Sequence, residues 1–247
     1  MMGLLIILLV IVIGVIILWA IESRVFLLLY QKLFYRTDKE ALFPENITRY
    51  FPEHQLLKKN LTIIQKELIV LMQEYQRIPK LHELDNQNRR ISFKDGPGWR
   101  TFYMKAYNGW FIDNCRRCPN TYSLIRQMDN VLTAMFSIME PGNEIPAHTG
   151  KFFGFLRYQM PLIVPKKGHC MITVGDKTHQ YKEGQAILFD DTIEHSVVNA
   201  TDEMRIVLFL DIDKRANFLV SLMNRFFMWL VIVSPKFKNG ETKAYGK

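Results

Sequence analysis

The stretch from Ser137 to Arg205 constrains the fold of this chain most, because turn residues break it into short segments. Pro-Gly, Gly-Asp and Glu-Gly pairs separate runs that have the length of β-strands. We predict strands near 131–139, 145–148, 155–164, 170–174, 178–182, 185–190, 195–199 and 204–211. Many short, closely spaced antiparallel strands predict a mainly β fold, a double-stranded β-helix of the jelly-roll or cupin-like type.

Helices are expected to flank this barrel on its N-terminal side. Apolar residues recur at three- and four-residue steps between Phe51 and Gln76 and predict a helical region packed on the barrel. These residues are Leu56, Leu57, Leu61, Ile64, Leu68, Leu71 and Met72. A strand over Trp99–Tyr107 and a helix over Pro119–Asn130, with Asn120 as its N-cap, complete the expected catalytic unit over residues 51–213.

The first 21 residues contain no charged side chain. At about 1.5 Å per residue, a helix of that length just spans a hydrocarbon core of about 30 Å. Neither a basic leader nor a small-residue cleavage site accompanies the run, so we interpret residues 1–21 as a transmembrane signal anchor. Arg24 and Lys32 are the first of several basic residues that follow it, while none precedes it, which predicts that the rest of the chain lies in the cytoplasm.

Two further segments are expected near the membrane. Residues 22–50 form a juxtamembrane segment, and residues 214–247 contain an apolar run over 218–233 followed by a basic tail. That run favours an interfacial helix over a second membrane span, with a buried core helix as the alternative. The formal net charge of +8 suits an anionic leaflet. No nucleic-acid-binding motif accompanies the charge, so nucleic acid is not an expected partner.

The chain has three cysteines, and an odd number in a cytoplasmic domain argues against a disulfide framework. Cys115 and Cys118 form a lone CxxC without a second pair. We therefore interpret them as buried or half-buried thiols and not as a zinc ribbon.

His148 and His195 are the candidate metal ligands, because both lie where a predicted strand begins or ends. Facing strands can bring two such imidazoles together, and imidazole suits iron, zinc, copper or nickel. Non-haem iron oxygenases add a carboxylate two residues after the first histidine, since residues i and i+2 of a strand share a face. Here that position is Gly150. Asp190 and Asp191 are interpreted as residues that orient the loop before His195.

Four runs between Gly98 and Asp213 carry a resemblance to a known family. They are FSIMEPGNEIPAHTG, LRY, ILFDDTIEH and NATDEMRIVLFLD. In this order they resemble the aspartyl/asparaginyl β-hydroxylase family, a branch of the Fe(II)- and 2-oxoglutarate-dependent oxygenases. Its animal aspartyl hydroxylase also has HTG, so Gly150 matches a two-histidine variant in which water takes the third position, which halide occupies in some related oxygenases.

The resemblance implies roles for six residues. His148 and His195 would hold Fe(II) for a reaction that consumes O2 and 2-oxoglutarate. Arg205 and Ser137 would bind the distal carboxylate of 2-oxoglutarate, with Arg157 near its chelating end. Gln159 occupies a cosubstrate-contact position where family members usually carry histidine.

Two branches of the family differ in substrate. One hydroxylates aspartyl or asparaginyl residues of peptides, and the other is a bacterial hydroxylase of a lipid A acyl chain at the inner membrane. GWRTFYMKAYNGWF and CPNT resemble the lipid branch, and the predicted anchor favours it, although that branch commonly has HRD and RYH. We expect a single-pass inner-membrane enzyme with a cytoplasmic catalytic domain that acts on lipid A or a similar acyl lipid. A non-catalytic, membrane-tethered binding module is the alternative from another class.

Overall fold

The computed structural model describes residues 46–74, 78–81, 98–106, 109–150 and 154–214, together with residues 3, 10 and 12–14. The helices are α1 (Ile47–Tyr50), α2 (His54–Lys59), α3 (Leu61–Met72), α4 (Ile112–Arg117) and α5 (Pro119–Arg126). The first strands are β1 (Trp99–Ala106), β2 (Gly109–Trp110), β3 (Val131–Met139), β4 (Glu144–His148) and β5 (Phe155–Ile163). The remaining strands are β6 (His169–Val174), β7 (Lys177–Gln180), β8 (Ile187–Phe189), β9 (His195–Ala200) and β10 (Arg205–Asp213).

The strands form two antiparallel sheets. The larger sheet has the order β2-β1-β3-β10-β5-β8, and the smaller sheet has the order β4-β9-β6-β7. Within the described residues, all pairings between neighbouring strands are antiparallel. The prediction of a mainly β, antiparallel fold is confirmed, and each predicted strand end lies within a few residues of the observed one.

The larger sheet separates two apolar cores. Alternate residues of β10 point to opposite faces, and Ile206, Leu208, Leu210 and Ile212 join Leu57, Ile64 and Leu68 of the helices in one core. Val207 and Phe209 join Ile172, Val174 and Val197 of the smaller sheet in the other core. The odd-numbered residues of β10 therefore face the space between the sheets, which is where a barrel binds its ligand.

The helical region predicted over 51–76 is confirmed between His54 and Met72, where Asn60 divides it into α2 and α3. The predicted N-cap of α5 is wrong, because Pro119 takes the first helical position and Asn120 lies inside the helix. The free N–H groups of the first turn are instead satisfied by Glu67 of α3, which accepts from Asn120 N at 2.7 Å and Thr121 N at 2.8 Å. A carboxylate from another element thus does what a local cap was expected to do.

The predicted segments next to the membrane are barely represented in the structure. Most of residues 1–21, most of 22–50 and all of 215–247 lie outside the described residues. Within the described part, no helix is long and apolar enough to cross a bilayer. The anchor, the interfacial helix and the domain boundaries stay predictions.

All three thiols are expected to be unreactive in the folded chain. Each cysteine is free and buried, and burial raises the pKa of Cys115 to about 11 and that of Cys118 to about 12. Since the thiolate is the reactive species, titration with a disulfide reagent at pH 8 should detect no thiol in native protein and three after unfolding in guanidinium. A rapidly reacting equivalent in the native protein would contradict the interpretation of the CxxC as structural.

Candidate active site

His148 and His195 are direct cross-strand partners in the smaller sheet. They pair between the end of β4 and the start of β9, so their side chains share one face, and their ring centroids are 4.3 Å apart. The sequence suggested facing strands, whereas the structure uses adjacent strands of the same sheet. The register of one ladder is therefore sufficient to bring the two imidazoles together.

The two imidazoles are held in the same way. Nδ1 of His148 lies 2.8 Å from the carbonyl oxygen of Pro146, and Nδ1 of His195 lies 2.9 Å from that of Ile193. A carbonyl oxygen only accepts hydrogen bonds, so each Nδ1 carries the hydrogen and, in a neutral ring, Nε2 carries a lone pair. Burial lowers the pKa of His195 to about 4, which keeps that ring neutral. A pair of imidazoles oriented by backbone carbonyls is an arrangement that binds transition metals.

The loop before β9 carries two carboxylates with different surroundings. Asp190 accepts hydrogen bonds from the backbone N and Oγ1 of Thr192, at 3.0 and 2.7 Å, and pairs with Lys214. It therefore shapes the turn, as the sequence suggested. Asp191 instead directs its carboxylate toward the histidines, with Oδ1 at 3.3 Å from Nε2 of His195.

Arg157 of β5 lies beside this loop, and two carboxylates compensate its positive charge. Its guanidinium pairs with Asp191 and, at 3.2 Å, with Asp211 of β10, and it lies over the ring of Phe209, 4.6 Å from the centroid. Burial raises the pKa of Asp211 to about 6, although the adjacent Arg157 opposes that rise. Arg157 is thus linked through Asp191 to the histidine pair.

Arg205, at the start of β10, is buried without a carboxylate. It is 2% exposed, and its Nε has no hydrogen-bond partner. One Nη donates to the sulfur of Met139, and the guanidinium lies 4.9 Å from the ring centroid of Tyr181. Within the described residues no carboxylate pairs with it. A buried guanidinium in this state is costly unless an anion joins it, and it therefore fits the carboxylate of a small acidic ligand.

Ser137 and Gln159 line the same space. The Oγ of Ser137 accepts a hydrogen bond from Nε1 of Trp99 at 2.9 Å, so its own hydrogen can be donated to a ligand. Oε1 of Gln159 accepts from the hydroxyl of Tyr181 at 2.6 Å, which leaves the amide N–H groups as the donors of this side chain. Tyr181 thereby connects Gln159 with Arg205.

The structure gathers five of the six predicted residues into two groups, while Ser137 contacts Trp99. His148, His195 and Arg157 meet around Asp191, while Gln159 and Arg205 meet at Tyr181. Within the described part of the chain, no three or more His, Cys, Asp or Glu side chains are already arranged around a metal position. The histidine pair can bind a metal, and the Arg205 group can bind an anion. Their roles stay predictions.

Sequence reasoning missed Tyr181 and Asp211. Asp211 follows Arg205 at an even spacing on one strand, so strand periodicity could have placed both on the inner face. Tyr181 lies just after β7 in a polar context, and the sequence contains no pattern that points to it.

Comparison with known proteins identifies one family model and several relatives. A family model described as aspartyl/asparaginyl beta-hydroxylase matches residues 58–215. The ornithine lipid ester-linked acyl 2-hydroxylase of Rhizobium tropici is 33% identical over 194 residues, which cover 78% of this chain and 68% of that protein.

More distant relatives come from animals. Aspartate beta-hydroxylase domain-containing protein 2 of Xenopus tropicalis is 26% identical, over 66% of this chain and 46% of its own length. The aspartyl/asparaginyl beta-hydroxylase of Mus musculus is 26% identical, over 63% of this chain and 21% of its own length. The chain thus spans less than half of these two proteins. Among solved structures, a cupin 2 conserved barrel domain protein from Salinispora arenicola aligns with 39% of this chain and 71% of its own, at 15% identity and a TM-score of 0.28, too weak to bear on function.

Replacing Arg205 or Arg157 by methionine should change the free energy of unfolding in opposite directions. In ligand-free protein, Arg205→Met removes a buried charge without a counter-charge and should raise the free energy of unfolding by about 1–3 kcal/mol. Arg157→Met leaves two buried carboxylates without their cation and should lower it by about 3–5 kcal/mol. Urea unfolding of both variants checks this prediction. Equal destabilisation by the two changes would show that Arg205 has a counter-charge in the ligand-free protein.

Proposed function

The chain belongs to the aspartyl/asparaginyl beta-hydroxylase family, and we propose that it is an Fe(II)- and 2-oxoglutarate-dependent dioxygenase that hydroxylates an acyl chain of a membrane lipid. The observation that supports this most is that one domain contains both two carbonyl-oriented imidazoles and a buried guanidinium that has no carboxylate partner in the described chain. A transition metal suits the first feature, and a dicarboxylate suits the second.

The residues of the site would divide the work as follows. His148 and His195 would hold Fe(II) through Nε2. Arg205 would bind the distal carboxylate of 2-oxoglutarate with its planar fork, and the Ser137 hydroxyl would donate to the same group. Arg157 and the Gln159 amide would contact the cosubstrate from β5. When bound, iron and 2-oxoglutarate supply the O2-dependent oxidation of an unactivated C–H bond.

The walls of the site would protect this chemistry from water. The inner faces of both sheets contribute apolar side chains, and the ring of Phe189 lies 5.2 Å from that of His195, centroid to centroid. A dry site strengthens the electrostatic contacts of a bound dicarboxylate and excludes side reactions. Binding of the cosubstrate would thus give Arg205 a counter-charge and remove the cost of burying its guanidinium without one.

A lipid substrate is favoured over a peptide by two observations. The Rhizobium relative is named for the 2-hydroxylation of an ester-linked acyl chain of ornithine lipid, and the sequence of this chain predicts a membrane anchor. We keep lipid A and ornithine lipid as the two candidate substrates. Hydroxylation of aspartyl or asparaginyl residues is the second candidate function, because the mouse relative carries that name.

The reaction can be tested with the full chain in detergent. Fe(II), 2-oxoglutarate and O2 should yield succinate, and mass spectrometry should find one added oxygen in an acyl chain of lipid A or ornithine lipid. Removing Fe(II), or replacing both histidines in His148→Ala/His195→Ala, should reduce succinate and hydroxylated lipid to background. An oxygen added to an Asp- or Asn-containing peptide and to neither lipid would favour the second function. Failure to form succinate with any substrate would indicate a binding module.

The hydroxyl of Tyr181 should affect the binding of 2-oxoglutarate but not that of the metal. Tyr181→Phe removes the hydroxyl that holds Gln159, so the KM for 2-oxoglutarate should rise about 2- to 10-fold with a smaller change in kcat. Tyr158→Phe is the matched control, because it also removes a buried tyrosine hydroxyl, bonded to Nδ1 of His54 at 2.8 Å in the core between sheet and helices. The control should lower stability and leave the KM unchanged. An unchanged KM in Tyr181→Phe would remove Gln159 from the cosubstrate site.

A further inference from the structure

Helix α3 is apolar on two faces, of which only one is buried. The buried residues of this helix are Ile64, Leu68 and Leu71. A surface helix usually has polar and charged residues opposite its buried stripe. In α3, by contrast, three further apolar side chains are exposed, Ile63 by 43%, Ile69 by 57% and Val70 by 61%. Single exposed apolar residues are common on proteins, but three on one helix of 12 residues form a surface that requires a partner.

These three apolar side chains surround one exposed lysine. Lys66 follows Ile63 by three positions and precedes Ile69 by three and Val70 by four, so it is a neighbour of each on the helix surface. We call these four residues the α3 patch. A lysine in such a position can lay its methylene groups along the apolar surface and keep its ammonium group in water. Apolar side chains mixed with lysine are typical of helices that lie in the headgroup zone of a membrane.

The surroundings of the α3 patch are basic. Residues 54–72 contain three lysines and one carboxylate. Lys58 and Lys59 are exposed in the last turn of α2, directly before α3. The carboxylate is that of Glu67, which accepts hydrogen bonds from the first turn of α5. The positive charge of this surface is therefore complementary to an anionic lipid leaflet.

We propose that the α3 patch docks on the anionic surface of the membrane. Its apolar side chains enter the boundary between headgroups and acyl chains, and the lysines contact lipid phosphates. The inference deepens the proposed function, because it names the surface that holds the catalytic domain on its lipid. A second copy of the chain fits this patch less well, since a two-fold interface would place lysines against lysines.

Docking through α3 would also fix the position of the candidate site. Nε2 of Gln65 donates to the carbonyl oxygen of Leu162 in β5 at 2.8 Å. The same strand carries Arg157 and Gln159. A bilayer that binds α3 therefore holds β5, and with it the candidate site, at a constant distance from the lipid.

Spin-label accessibility of the full chain tests the proposal without requiring turnover. The chain is reconstituted in nanodiscs that contain phosphatidylglycerol, with a nitroxide on the cysteine of Val70→Cys. The native cysteines are buried, and wild type treated with the same reagent gives the background. The nitroxide should lose contact with a water-soluble nickel chelate and gain contact with O2, which concentrates in the bilayer, at a depth of about 5–10 Å.

Thr178→Cys provides the matched control label. Thr178 is exposed on β7, and its Oγ1 lies 3.0 Å from that of Thr173. Both side chains lie on the face of the smaller sheet opposite Ile172 and Val174, which belong to the core between the sheets. The label at residue 178 is therefore on the side of the molecule remote from α3 and should stay accessible to the nickel chelate.

Charge reversal tests the electrostatic part of the proposal. Lys66→Glu, combined with the label at residue 70, should return the nitroxide to water. Lys177→Glu reverses an exposed charge on β7 and should leave the nitroxide immersed. Nanodiscs of phosphatidylcholine alone should immerse the label at residue 70 less deeply, because they lack the anionic charge. Circular dichroism establishes that each variant is folded.

The proposal is overturned if the label at residue 70 is as accessible to the nickel chelate as that at residue 178, or if Lys66→Glu and Lys177→Glu act equally. Magnetic broadening between labels at residue 70 would show that a second copy covers the patch, which also overturns it. Succinate formation by wild type in the same nanodiscs reports the proposed function separately. Turnover with a water-exposed label refutes the docking alone, and an immersed label without turnover refutes the function alone.

Discussion

The architecture of this chain depends on the alternation of side chains along the central strands of the larger sheet. In β10, every second residue is apolar and packs on the helices, while the residues between them face the smaller sheet. A shift of one residue in the register would exchange these two faces. Such a shift would bury Arg205 and Asp211 under the helices and turn the apolar residues of the helical core toward the smaller sheet. The same hydrophobic constraint that stabilises the helical layer therefore fixes which polar groups enter the candidate site.

The two arginines of the site differ in whether their charge is compensated within the protein. This difference distinguishes a group that stabilises the fold from a group that is suited to a ligand. Arg157 has two carboxylates, so it contributes to a closed network that links β5, β10 and the loop before β9. Arg205 is more deeply buried than Arg157, yet its neighbours are a sulfur and an aromatic ring. A fold selected for stability alone would place an apolar residue there. The cost at Arg205 is understandable when an anion completes the site, as in other proteins in which active sites reduce stability.

Local patterns in the sequence predicted the elements well but not their contacts. Strand positions follow from turn residues and apolar runs, and both patterns are local, so β3 to β10 were found. The cap of α5 was wrong, because the group that satisfies its first turn is Glu67, more than fifty positions away. Tyr181 and the orientation of Asp191 were not predicted for the same reason, since both depend on tertiary contacts. The histidine pair was predicted from the ends of its strands, but the ladder that joins them became known only with the pairing of β4 and β9.

The loop before β9 connects the histidine pair with Arg157 of the larger sheet. Asp191 belongs to the loop that also carries Ile193, whose carbonyl oxygen orients His195. Asp190 fixes that loop through Thr192 and Lys214. One turn therefore positions both the carbonyl that orients His195 and the carboxylate that pairs with Arg157. Because Asp191 lies between Arg157 and the histidines, any group that draws it toward one side weakens its contact with the other.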